Sequence, residues 1–301
     1  MNIIVSKGNN QNTFAVFGLL FGACFWGVVW YPYRLMAEAG VSGVASSFYT
    51  YVIATLMACV LFAKHWRGLL AQPKSIIWLS LVAGWTNLAY VVAVIDGGVM
   101  RVLLLFYLSP LWTLILAHFW LHERTNFRGL MTILVALLGA SIMLYDTSGN
   151  SGFLPIPRSQ SDWLALSSGI SFAVANVITR KSQHLTVKAK AFAVWLGVVI
   201  TALIFMPILG NSFPSPSFFT ANHWLIMSLI SLVLLFGTLL VQYGVTQMTA
   251  TEASVIFLFE LVVGAVASYF LAHEVMAFNE WIGGVLIVAA AFFAATHDTR
   301  R

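Results

Sequence analysis

Charged side chains are scarce in this sequence. Asp, Glu, Lys and Arg make up only 8% of the 301 residues, whereas hydrophobic residues make up 60%. A water-soluble body of this size needs far more polar surface than these residues supply. The scarcity therefore excludes a soluble globular protein and predicts a chain whose solvent is lipid.

Cysteines and enzyme motifs are scarce as well. Cys24 and Cys59 both lie in apolar runs, which predicts two thiols rather than a disulfide. No phosphate-binding loop is present, and the stretch "GNSG" at 149–152 has no evident buried base, so we interpret it as linker. His118 and His122 have the spacing of a zinc pair, but no Glu follows His118 and no third ligand is evident. The sequence therefore predicts neither an enzyme nor a metal site, and no cofactor.

Long hydrophobic runs are what the chain does have. Ten runs carry no charge except Glu260 in the ninth: Phe14–Tyr33, Val41–Ala63, Ser75–Ile95, Val102–Leu121, Gly129–Tyr145, Trp163–Thr179, Ala191–Leu209, Asn222–Thr251, Ala253–Ala272 and Trp281–Thr296. Each approaches the ~20 residues that cross a bilayer, and the runs are continuous rather than alternating. The first run lacks the features of a cleaved signal peptide. We therefore predict an all-α polytopic membrane protein with ten transmembrane helices.

Basic residues indicate the orientation of these helices. With both termini in the cytoplasm, 12 of the 15 Lys and Arg residues fall on the inner side and 3 on the outer side. The outer three are Arg34, Arg101 and Arg158. Cytoplasmic loops of membrane proteins typically carry such an excess of basic residues. The basic residues form short, scattered clusters beside the spans, which does not suggest a nucleic-acid partner.

The sequence also repeats itself. Residues 105–123 and 256–274 align without a gap at an offset of 151, which pairs Phe106 with Phe257 and Ser109 with Glu260. An offset of 147 pairs the first predicted helix with the sixth and shares Gly22/Gly169 and Phe25/Phe172. Because each half holds an odd number of spans, the second copy must enter the membrane inverted, which is typical of alternating-access carriers.

The repeat sets the predicted organisation of the chain. A cytoplasmic tail (1–13), a first five-helix repeat (14–146), a linker (147–161), a second, inverted repeat (162–296) and a cytoplasmic tail (297–301) follow one another.

Two stretches resemble a known family. They are "LSPLWTLILAHFWLHERTNFRGLMTILVALLGASIML" (108–144) and "FLFELVVGAVASYFLAHEVMAFNEWIGGVLIVAAAFFAA" (257–295). Both are similar to the fourth and fifth helices of EamA-type drug/metabolite transporters, and the whole pattern is most similar to YddG-type aromatic amino acid exporters. The resemblance implies ten spans in two inverted halves, an inner-membrane location and amino acids as substrate. Second copies commonly read Glu-Pro, whereas here Leu261 follows Glu260, which leaves open whether the ninth helix bends as the fourth does.

Three residues within the spans stand out. Pro110 frees a backbone carbonyl that Ser109 is placed to help satisfy, which predicts either a hinge or a static kink. Glu260 is the only formal charge far from the end of a span, where it costs roughly 2.5–3.5 kcal/mol. Its carboxyl either faces a substrate or a proton path, or it only bridges helices.

Aromatic and amide side chains complete the predicted site. They recur at helical spacing within the spans and suit an amphiphilic metabolite with a flat apolar group, although interfacial belts and helix bridges use the same residue types. With Glu260, the predicted substrate contacts are Trp26, Trp30, Asn87, Tyr90, Tyr107, Asn176 and Gln242. The sequence allows a monomer in lipid. The alternatives are export of another metabolite or drug, an intramembrane enzyme, and a passive channel.

Overall fold

A computed structural model of the chain describes residues 3–62, 73–97, 99–122, 127–143, 157, 159–208, 213–271 and 278–297. All regular structure within these residues is helical. We number the helices α1 Ile3–Glu38, α2 Gly43–Leu61, α3 Pro73–Asp96, α4 Val99–Phe106, α5 Ser109–Leu116, α6 Phe127–Met143, α7 Gln160–Lys181, α8 Val187–Ile208, α9 Ala221–Gln247, α10 Ala250–Phe257, α11 Phe259–Leu271 and α12 Phe278–His297. A π-helical turn, Ala117–Leu121, follows α5, and a 3-10 turn, Pro216–Phe218, precedes α9. Most of the linker predicted over 147–161, and the tail after His297, lie outside the described residues.

Seven stretches of the described chain are long and apolar enough to cross a membrane: Asn12–Glu38, Gly43–Leu61, Lys74–Asp96, Gln160–Lys181, Val187–Ile208, Ala221–Gln247 and Ala250–Leu271. The other three predicted spans correspond to shorter apolar helices: Ser109–Leu121, Leu130–Gly139 and Trp281–Ala290. The all-α prediction is confirmed for the described residues. The count of ten spans and their orientation stay predictions.

Side-chain caps define where several helices begin. Ser159 accepts from the Asp162 N–H at 3.1 Å, and the Asp162 carboxylate accepts from the Ser159 N–H at 3.2 Å. Thr249 and Glu252 make the same reciprocal pair at the start of α10. Because the first amides of a helix have no partner within it, these caps satisfy groups that lipid cannot.

The helices of the two halves pack in equivalent ways. Helix α1 packs on α9 as α3 packs on α7, and α2 packs on α9 as α3 packs on α8. Helix α1 also lies against α10 and α11, and α7 lies against α4 and α5. Exchanging each helix for its equivalent in the other half leaves this set of contacts unchanged. The packing is therefore that of two repeats related by a pseudo-two-fold axis.

Both repeats contain a broken helix at the same position. The first break separates α4 from α5 at Tyr107 and Leu108, just before Pro110, and the second separates α10 from α11 at Leu258. Tyr107 and Leu258 are equivalent at the offset of 151. At both breaks the backbone bonds tighten to i−3, with Leu111 N–H donating to Leu108 O at 3.0 Å and Leu261 N–H donating to Leu258 O at 3.1 Å. The ninth predicted helix is therefore interrupted without a proline.

Close backbone contact holds the first break against the second half. A Cβ atom on Gly169 would lie 2.5 Å from the carbonyl oxygen of Phe106, the group whose hydrogen bond Pro110 removes. In the other half, a Cβ on its equivalent Gly22 would overlap the side chain of Val241. Glycine at these positions therefore lets α7 approach the broken helix of the first half and lets α1 approach α9 of the second half.

Candidate functional site

A cavity lies at the centre of the molecule, between the two repeats. Its volume, counted as the space open to the centre of a water molecule, is about 80 Å³. Its walls come from α1, α3 and α4 in the first half and from α7 to α11 in the second. The lining residues are Trp26, Ala83, Thr86, Asn87, Tyr90, Phe106, Phe172, Ala175, Asn176, Val194, Thr238, Val241, Gln242, Phe257 and Glu260.

A row of aromatic rings forms the apolar wall. Ring centroids are 5.3 Å apart between Tyr90 and Phe106, 5.3 Å between Phe106 and Phe172, and 5.2 Å between Phe172 and Phe257. Phe106 and Phe257 are equivalent residues, each ending the helix segment before a break. The row therefore crosses the boundary between the repeats and offers a flat apolar surface to a ligand.

Three polar groups of the lining have no partner within the described chain. They are the Tyr90 hydroxyl, the Asn176 Nδ2 and the Thr238 hydroxyl, and all three side chains are buried. A buried donor normally has a partner, so a bound ligand or water is the natural one for these three. They supply neutral donors on three different helices, α3, α7 and α9.

Two other amides of the lining are held by neighbouring side chains. The Asn87 Oδ1 accepts from the Tyr51 hydroxyl at 2.7 Å, and its Nδ2 donates to Ala83 O at 2.9 Å. The Gln242 Oε1 accepts from the Thr179 hydroxyl at 3.1 Å. Because both oxygens are already engaged, these amides present fixed orientations to the cavity.

Glu260 is the only ionisable carboxyl group among the lining residues. Its side chain is buried, and the Tyr107 hydroxyl approaches it without a hydrogen bond of good geometry. No basic side chain of the described residues pairs with it. A carboxyl placed this way can accept hydrogen bonds from a ligand ammonium or carry a proton.

The structure brings together six of the eight predicted contact residues. Trp26, Asn87, Tyr90, Asn176, Gln242 and Glu260 all line the cavity.

Trp30 and Tyr107 are buried but lie outside the lining. The Trp30 indole donates to Gly27 O at 2.9 Å, and the Arg34 guanidinium lies 5.2 Å from its ring centroid. Tyr107 lies close to the Glu260 carboxyl.

Nine lining residues were absent from the predicted set, and five of them are polar or aromatic: Thr86, Phe106, Phe172, Thr238 and Phe257. The repeat itself carried a signal for three of them. Phe106 and Phe257 are identical at the offset of 151, and Phe172 is identical to Phe25 at the offset of 147. The predicted hinge residues Ser109 and Pro110 are buried at the start of α5 and do not line the cavity.

Membrane-length helices in two pseudo-symmetric repeats around one central cavity define a class of protein: small-molecule membrane transporters built from an internal repeat. The chain belongs to the EamA-like transporter family, whose sequence model matches residues 13–145 and 160–296. The predicted resemblance to this family and the multi-pass membrane location are thereby confirmed.

Several proteins are similar to the chain. An S-adenosylmethionine uptake transporter of Rickettsia bellii is 28% identical over 192 residues, covering 61% of this chain and 59% of that protein. The protein of that description from Rickettsia prowazekii is 30% identical over 185 residues, covering 61% and 58%. An uncharacterised transporter of Bacillus subtilis, YoaV, is 22% identical and covers 94% of this chain and 97% of its own. A crystal structure with a TM-score of 0.72 and 17% identity covers 95% and 98%, which shows a shared fold.

Proposed function

We propose that this chain is an alternating-access carrier of the inner membrane that exports amino acids, aromatic ones first. The observation that carries the proposal is the composition of the central cavity. It combines a row of aromatic rings, three buried donors without partners and one carboxyl group.

An aromatic amino acid matches these three elements. Its ring packs on Phe106 and Phe172, and its ammonium is accepted by Glu260. Its carboxylate takes hydrogen bonds from neutral donors such as the Asn176 Nδ2. An α-amino acid without an aromatic side chain uses the same polar groups but gains less from the ring surface.

The repeats supply the mechanism of movement. Each repeat places a broken helix beside the cavity, and each break is packed against the first helix of the opposite half. Rocking of one repeat against the other then opens the cavity to one side at a time. When both termini are cytoplasmic, α9 ends at the inner side of the membrane. Its polar lining residues, Thr238 and Gln242, then lie nearer the inner side.

S-adenosylmethionine is a second candidate substrate, favoured by the two Rickettsia relatives. It carries the same α-amino acid group, a sulfonium cation that Glu260 can stabilise and an adenine that stacks on aromatic rings. These relatives are named for uptake, whereas the sequence resemblance implies export. A reversible carrier follows the gradient to which it is coupled, so direction is measured separately from substrate.

Counterflow in vesicles containing the full chain tests the proposal. Vesicles are loaded with unlabelled compound and diluted into labelled phenylalanine, tryptophan, S-adenosylmethionine or a sugar. We expect saturable accumulation of phenylalanine and tryptophan that is accelerated by the same compound inside. Accumulation of S-adenosylmethionine alone selects the second candidate, linear flux without acceleration indicates a channel, and a chemically altered compound indicates an enzyme.

A matched pair of phenylalanines links the transport to the cavity. Phe257 lines the cavity, whereas Phe270, on the neighbouring segment α11, is 68% exposed on the apolar surface. We expect Phe257→Ala to raise the half-saturating concentration of tryptophan about tenfold, because it removes ring surface worth roughly 1.5 kcal/mol. Phe270→Ala serves as the control and is expected to leave this concentration unchanged. Equal effects of the two substitutions would count against the aromatic row as the binding surface.

A further inference from the structure

A buried lysine stands behind the cavity wall. Lys190, in the first turn of α8, is 0% exposed. Its Nζ donates to the backbone oxygen of Thr179 at 2.7 Å and to the hydroxyl of Thr246 at 2.9 Å. Lysine is almost never fully buried without a charged partner. The two acceptors of Lys190 are neutral, so they do not cancel its positive charge.

Two short bridges connect this cation to the cavity. The Thr246 hydroxyl, which accepts from Lys190, donates to the backbone oxygen of Gln242 at 2.6 Å. The Thr179 hydroxyl donates to the Gln242 Oε1 at 3.1 Å. Because Thr179 engages its oxygen, the Gln242 side-chain amide is held in one orientation, and its N–H groups are the donors that it can offer to a ligand.

A second basic residue, Arg180, lies at this end of the cavity. The Arg180 Nη1 donates to Thr246 O at 2.6 Å, and Arg180 lies close enough to Lys190 to interact with it electrostatically. Within the described chain, no carboxylate bonds to the Lys190 Nζ. The Lys190 ammonium therefore places a positive charge behind Gln242, whereas the carboxyl of Glu260 lies elsewhere on the wall, beside Tyr107.

We propose that Gln242 binds the carboxylate of the substrate and that Lys190 is the positioning residue that favours an anion there. The inference rests on the proposed function, since it assumes a zwitterionic substrate. Different parts of the lining then bind the two charged groups of the amino acid. Gln242, with Lys190 behind it, binds the carboxylate, and Glu260 binds the ammonium. The substrate consequently binds in one orientation, and compounds that lack the carboxylate are discriminated against.

The discrimination between phenylalanine and its carboxamide tests the proposal. The carboxamide keeps the ring and the ammonium but carries no negative charge. Half-saturating concentrations of both labelled compounds are measured by counterflow with the full chain. We expect the wild type to prefer phenylalanine to the carboxamide. Lys190→Met should reduce this preference about tenfold, while the half-saturating concentration of the carboxamide changes by less than about twofold. Lys190→Arg, which retains the charge, is expected to restore most of the preference.

Control variants separate this role from helix packing. Lys181→Met removes an exposed lysine from the end of α7 and is expected to leave the preference unchanged. If Lys190→Met does not fold, Thr179→Val still releases the Gln242 amide without removing the lysine, and Thr179→Ser retains the hydroxyl. Both Lys190→Met and Thr179→Val are expected to lower the preference for the carboxylate.

The outcomes distinguish the inference from the function on which it rests. Equal losses for phenylalanine and its carboxamide in these variants would assign Lys190 to packing alone and overturn the inference. A wild type that exchanges both compounds equally well overturns it too, but leaves amino acid transport standing. A wild type that exchanges neither compound overturns the proposed substrate and the inference together.

Discussion

Two equivalent helix crossings between the halves of the molecule are held together by different means. Where α3 crosses α8, the backbone of Ser80 lies directly on Gly197. Where α9 crosses α2, the equivalent Ser231 donates its hydroxyl to Thr50 O at 2.7 Å and to Met227 O at 2.6 Å. One crossing is held by close backbone approach and the other by a side-chain hydrogen bond. The repeat therefore preserves the position of a contact but not its chemistry.

The same contrast is found near the start of the second helix of each repeat, in α2 and in α8. In the first half a Cβ on Gly43 would lie 2.7 Å from the Ile95 side chain, so the contact is apolar. At the equivalent place in the second half, Lys190 bonds to Thr246. Since Ser109 is likewise matched by Glu260, the charges near the cavity belong to the second half. A symmetric backbone thus encloses an asymmetric site, as an asymmetric substrate requires.

The largest expected effect is the loss of stability when Gly197, at the crossing of α3 and α8, is substituted. Any Cβ at position 197 would overlap the backbone of Ser80, which cannot move aside as a side chain can. Overpacking of this kind costs about 3 kcal/mol or more, so Gly197→Val should greatly lower the yield and the thermal stability of detergent-solubilised protein. At the other crossing, Ser231→Ala should cost only about 1 kcal/mol because it removes a hydrogen bond.

A second glycine provides the control for that comparison. A Cβ on Gly284 meets nothing within 4 Å, so Gly284→Ala should leave the unfolding temperature unchanged. If Ser231→Ala proved as damaging as Gly197→Val, the two crossings would be equivalent in energy and the contrast between them would fail.

The next effect concerns the pair Ser109 and Glu260. We expect Glu260→Gln to raise the half-saturating concentration of phenylalanine about tenfold, because it replaces a charge-assisted contact with the ammonium by a neutral one. Ser109→Ala, at the equivalent position outside the cavity lining, should change it by less than about twofold. Both are measured by counterflow at equal protein density. Normal exchange by Glu260→Gln would remove the proposed role of Glu260 while leaving the amino acid assignment intact.

The sequence predicts much of the backbone and part of the site, for identifiable reasons. Apolar runs and the repeat mark the helices because lipid demands both continuity and length. Helical spacing, by contrast, placed Trp26 and Trp30 on one face of α1, yet only Trp26 reaches the cavity. The direction of an indole depends on neighbours distant in sequence. The burial of Lys190 was hidden in the same way, because a lysine at the start of a span counts as an ordinary cytoplasmic charge.

The smallest expected effect is on the two helix breaks. Leu258 shows that the equivalent break forms without proline, so we expect the first break to persist without Pro110. Pro110→Ala should therefore keep the fold and slow exchange at saturating substrate only about threefold, because the Phe106 carbonyl regains an amide partner and the hinge stiffens.

The reverse substitution, Leu261→Pro, completes the comparison. The Leu261 N–H bonds only to Leu258 O within the first turn of α11, where proline is tolerated. We expect an unfolding temperature close to that of the wild type and an exchange rate that is equal or higher. The exchange rate and the unfolding temperature are both measured for each variant. If Pro110→Ala lowered stability while exchange stayed unchanged, the proline would serve packing, and the breaks would be fixed bends rather than hinges.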